Sequence, residues 1–159
     1  MKKITLACVL SLICIFGAGA FTYCAALDIA DLVESFQKST DLQRDQIAQH
    51  NLGREISAAG IVSNAGEYDF FDTVNDIRGT YYQVITVQQL TKNNTPYQVI
   101  FLFKDKDKAQ NIDRGQNVQK EGKLIRIDDE RLQIALWIFC GDMSDKDAAL
   151  FKKDQTTNN

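Results

Sequence analysis

Apolar positions along the chain change period twice. After an uncharged opening run, residues 28–52 carry Ile29, Leu32, Val33 and Phe36 at helical spacing. Ser39-Thr40-Asp41 interrupts that run and offers a cap for a second helix, with Leu42, Ile47 and Leu52 expected inward and Gly53 as its stop. From Arg54 the period becomes two. "EISAAGIVSN" places Ile56, Ala58, Gly60 and Val62 on one face, and "TYYQVITVQQ" follows after a long polar segment. "TKNNTP" reads as a turn leading into "YQVIFLFK". "KDKDKAQNI" has room for one helical turn; then come "NVQKEGKLIRI", a "DDE" turn and "RLQIALWIFC". In the last strand Trp137 points one way and Leu136 and Ile138 the other, so the pattern predicts a buried Trp137.

The third and fifth strands are apolar on both faces. Closure of the sheet would cover both and leave no open edge. Gly60 and Gly122 lie inside strands, where a sharply coiled backbone tolerates glycine. Five strands in this order fit a mainly β domain, a five-stranded OB-fold Greek-key barrel preceded by short α-helices. The expected organisation is a signal peptide or membrane anchor over 1–26, a helical lead-in over 27–52, the barrel over 53–142 and a polar C-terminal tail over 143–159.

The opening segment determines the expected address. Lys2 and Lys3 precede an uncharged run of 24 residues from Ile4 to Leu27, and small residues end it. A basic start, an apolar middle and small-x-small sites such as Ala18-Gly19-Ala20 and Cys24-Ala25-Ala26 meet the criteria for a secretory signal. The run is also long enough to span a bilayer as an uncleaved anchor. Lipid attachment at Cys24 is disfavoured by the bulky Tyr23 before it. Each alternative puts the remainder of the chain outside the cytoplasm, periplasmic, secreted or anchored to the inner membrane, and membrane contact through this segment is expected only if it stays uncleaved. Cys24 and Cys140 could pair in an oxidising compartment if cleavage follows Ala20; otherwise Cys140 is a small buried apolar residue.

Charge narrows the partners. Lys and Arg total 18 against 21 Asp and Glu, and without Lys2 and Lys3 the balance falls to −5. Both loops that flank the ligand face of such a barrel are acidic: Asp69, Asp72 and Asp76 in the first, Asp128, Asp129 and Glu130 in the last. Clustered Lys and Arg, on which phosphate binding depends, are absent there, so nucleic acid is disfavoured. Tyr81, Tyr82 and Tyr97 are the rings nearest the expected groove, although core packing competes for them. These three tyrosines, with Asp69, Asp72, Asp76, Asp128 and Asp129, are the candidate ligand-binding residues.

No catalytic set emerges. The single histidine, His50, lacks neighbouring Cys or acidic ligands, and Ser57 and Ser63 lack a base. No metal site and no cofactor are expected. The acids of "EYDFFDTVNDIRG" are spaced irregularly, unlike the alternating oxygens of a calcium loop. Phe70 and Phe71 within it read as anchors for the loop.

Residues 43–142 resemble the exported bacterial OB-fold domains grouped as tRNA-anticodon-like. The likeness rests on the short helix, "LGREISAAGIVSN", "VIFLF", "RGQNVQKEGKLIRI" and a final apolar strand ending at Cys140. Gly115, Val118 and Gly122 carry most of it. The resemblance implies the fold and an exported location, and it supplies no catalytic residues. The expected function is therefore a non-catalytic binding module of the cell envelope with a protein or peptide partner. The alternatives are an oligonucleotide- or oligosaccharide-binding domain, or a structural subunit of an envelope assembly.

Overall fold

A computed structural model describes residues 28–68, 80–90, 94–130, 133–144 and 146–147, with the backbone alone of Glu130. The expected signal or anchor segment lies outside the described residues. Among those residues no helix is long and apolar enough to cross a membrane.

Two helices precede the sheet. Helix α1 spans Ile29–Lys38, and Asp28 caps it by accepting the Ala30 N–H at 2.8 Å. Its Ile29, Leu32, Val33 and Phe36 stripe is buried, as the spacing predicts. Helix α2 spans Asp41–Asn51, where the Gln43 side chain accepts the Thr40 N–H at 3.0 Å, and Gly53 follows with φ +82°. The inward face expected of α2 holds at Ile47, which packs with Ala48 on the interior cluster, and is corrected at Leu42 and Leu52. Leu42 and Leu52 are exposed and Ile47 is only half-buried. Polar contacts add to this attachment. Arg44 donates through Nε to the Phe36 carbonyl at 3.0 Å, stacks 5.4 Å from the Phe36 ring centre and meets Asp129 at 3.2 Å.

Five strands follow: β1 (Glu55–Glu67), β2 (Tyr82–Gln89), β3 (Pro96–Phe103), β4 (Asn117–Glu130) and β5 (Gln133–Phe139). A single helical turn, α3 (Asp107–Gln110), separates β3 from β4. The strands are hydrogen-bonded in the order β1-β2-β3-β5-β4, and β4 returns to β1, so the sheet closes in a ring. All pairings are antiparallel except β3 with β5. Strand β1 is shared: Glu55–Ile61 pair with β4 and Ile61–Glu67 with β2. Glycine permits the coiling that this sharing demands. A Cβ at Gly122 would lie 2.2 Å from the Phe139 carbonyl oxygen, and one at Gly60 would meet Thr86 at 2.9 Å.

Alternation sorts the apolar side chains into two clusters. The first draws on all five strands and α1, including Ile56, Ala58, Val62, Val84, Phe101, Leu124, Leu136 and Ile138, and fills the ring. The second lies on the outer face and contains Tyr68, Tyr81, Ile100, Leu102, Ile125, Ala135, Trp137 and Phe139. Strands β3 and β5 contribute to both, which explains why their sequences are apolar throughout. Trp137 is 0% exposed and faces opposite Leu136 and Ile138, in agreement with the sequence pattern.

One boundary shifts. "DDE" was expected to turn the chain, yet Asp128, Asp129 and Glu130 are the last residues of β4 and pair with Ala135, Ile134 and Gln133. A bulge between Leu124 and Arg126 lengthens β4 by one residue, and arginines compensate its acids. Local acidity signals a turn only where no ladder partner competes for the backbone.

Candidate functional site

Asp69, Asp72 and Asp76 lie outside the described residues, as do Phe70 and Phe71. The remaining candidates fall in separate places. Tyr81 is 2% exposed and Tyr97 6%, while Tyr82 is half-buried. Tyr97 belongs to the interior cluster and donates its hydroxyl to Gln88 Oε1. Tyr81 belongs to the outer cluster, where its ring meets Phe139 edge-on at 6.1 Å. Neither buried ring is available for stacking on a ligand from solvent.

The two described acids at the end of β4 are compensated. Asp128 Oδ2 lies 2.7 Å from Arg126 Nη2, and Asp129 Oδ2 lies 3.2 Å from Arg44 Nη1. Nearby cations thus cancel much of the negative field expected from this hairpin. Arg126 in turn stacks 4.5 Å from the Trp137 ring centre. The order Asp128–Arg126–Trp137 runs across the outer face of β4 and β5.

The most elaborate polar constellation lies in the segment expected to be only a polar tail. Asp147 is buried against the outer face. Its Oδ1 accepts the Tyr81 hydroxyl at 2.6 Å. Its Oδ2 meets Lys104 Nζ at 2.6 Å and accepts the Ser144 N–H at 2.8 Å and the Ser144 hydroxyl at 2.5 Å. Met143, one residue before this turn, packs on the outer aromatic cluster. Lys104 also sits 5.9 Å from the Phe139 ring centre, so the carboxylate and the ring share one cation. Burial alone would raise the Asp147 carboxyl pKa. The hydrogen bonds from Lys104, Ser144 and Tyr81 outweigh that and hold it well below the usual range. Burial, then the hydrogen bond and charge of Asp147, push the Tyr81 phenol well above its ordinary value. The pair is therefore a carboxylate and a neutral phenol across the physiological range. Sequence reasoning missed this site because its partners are 43 and 66 residues away. Ser144-x-x-Asp147, a capping pattern, was the one local signal.

A second feature is open to solvent. Where β1 turns from β4 towards β2, a shallow groove of about 510 Å³ is lined by Gly60, Ile61, Val87, Gln88, Gln89 and Asn117. Ile61 and Val87 are cross-strand neighbours there, 60% and 40% exposed. The Gln88 amide donates across the groove to the Ala59 carbonyl. Every lining group is uncharged.

No arrangement for covalent chemistry appears among the described residues. Ser57 accepts from the Gln119 amide at 3.3 Å, and Ser63 donates to the Ile85 carbonyl at 3.1 Å. His50 lies in a second shallow groove, with Ser39, Gln43 and Ile47. No group of three His, Cys, Asp or Glu is placed to hold a metal among the described residues. The Cys140 thiol is free, and burial pushes its pKa up to about 12 despite opposing charges from Lys120 and Lys108. Comparison with protein-family models and with curated proteins finds no match.

Proposed function

We propose that this chain is a non-catalytic, exported binding module of OB type whose partner is a protein or peptide of the cell envelope. The OB reading is supported by the strand order β1-β2-β3-β5-β4, the long β1 shared between two neighbours, the parallel β3–β5 pair and the helical turn between β3 and β4. Export is inferred from residues 1–26, with their basic start and apolar run.

One observation carries the choice of partner. OB domains take ligands on the outer face around β2 and β3, and here the outer face beside Tyr81 and Lys104 is packed with polypeptide, the chain's own Met143, Ser144 and Asp147. Bases cannot stack on rings that are already buried. The exposed Ile61–Val87 pair favours a second reading, a structural subunit that joins an assembly through its β1–β2 groove.

Photo-crosslinking in the native host tests the proposal, with a reactive side chain in turn at Val87 and at Gln98, its partner on the outer face of β3. A protein adduct of discrete mass is expected. Adducts to nucleic acid alone, or micromolar binding of single-stranded oligonucleotides that weakens steeply with salt, would overturn it.

A further inference from the structure

We draw no further inference here: the strongest candidate, the uncharged groove between β1 and β2 where Ile61 and Val87 are exposed side by side, is an unpartnered apolar surface, and nothing in the structure shows what covers it.

Discussion

Gly122→Ala is the most direct test of ring closure. At this residue β4 passes from its β1 partner Ile56 to the β5 pairing that begins at Lys123–Phe139. An added Cβ would stand 2.2 Å from the Phe139 carbonyl oxygen and 2.8 Å from its carbon. Ordinary contact begins near 3.4 Å. The two backbones must therefore separate by about an ångström, and no rotamer relieves a clash with main chain. Overpacking in a well-packed core costs about 1–3 kcal/mol, occasionally more. A backbone clash at the closing pair belongs at or above the top of that range, so about 3 kcal/mol or more is expected. Gly66→Ala is the control: its Cβ meets nothing within 4 Å, and it too lies in a paired strand. That substitution should stay within about 0.5 kcal/mol, or stabilise slightly by restricting the unfolded chain. Urea unfolding followed by far-ultraviolet circular dichroism measures both. Gly122→Ala within 1 kcal/mol of the parent would refute the close approach of β4 and β5, and with it the closure of the sheet.

Three further outcomes follow from the same geometry. Trp137→Ala should cost about 3–5 kcal/mol by loss of a fully buried ring; circular dichroism is the readout, and a change under 1 kcal/mol would contradict the outer cluster. The folded-state pKa of Asp147 is depressed, so its stabilisation is complete above the unfolded carboxyl value of about 4 and is lost as pH falls below it. The stability gap between the parent and Asp147→Asn should accordingly narrow from pH 7 to pH 3, and a constant gap would remove the carboxylate from its network. Cys140, with its thiol pushed up to about 12, should resist alkylation by iodoacetamide at pH 8 in the folded chain and react after unfolding; rapid labelling of the native chain would place it at the surface.

Local pattern was enough for much of this architecture. Helix α1 was legible because its four apolar residues repeat at 3.6, and the strands because their side chains alternate. Doubly apolar β3 and β5 already implied burial on both faces, and Trp137 could be assigned opposite Leu136 and Ile138. Those inferences need only near neighbours in sequence. Others failed where distant groups decide the outcome. Leu42 and Leu52 face solvent while Arg44 reaches Phe36 and Asp129, and of α2 it is Ile47 and Ala48 that pack on the interior cluster. Asp128 and Asp129 continue a strand because β5 offers ladder partners and arginines neutralise them. Tyr81 is a plausible exposed ring until Asp147 arrives from 66 residues away to accept its hydroxyl. Locally, only the Ser144-x-x-Asp147 spacing marks Asp147 among the acids of a polar tail. Pairing of β2 with β3 sets Tyr81 beside Lys104, and the chain brings Asp147 to both only after β5, a meeting of which periodicity along one strand carries no record.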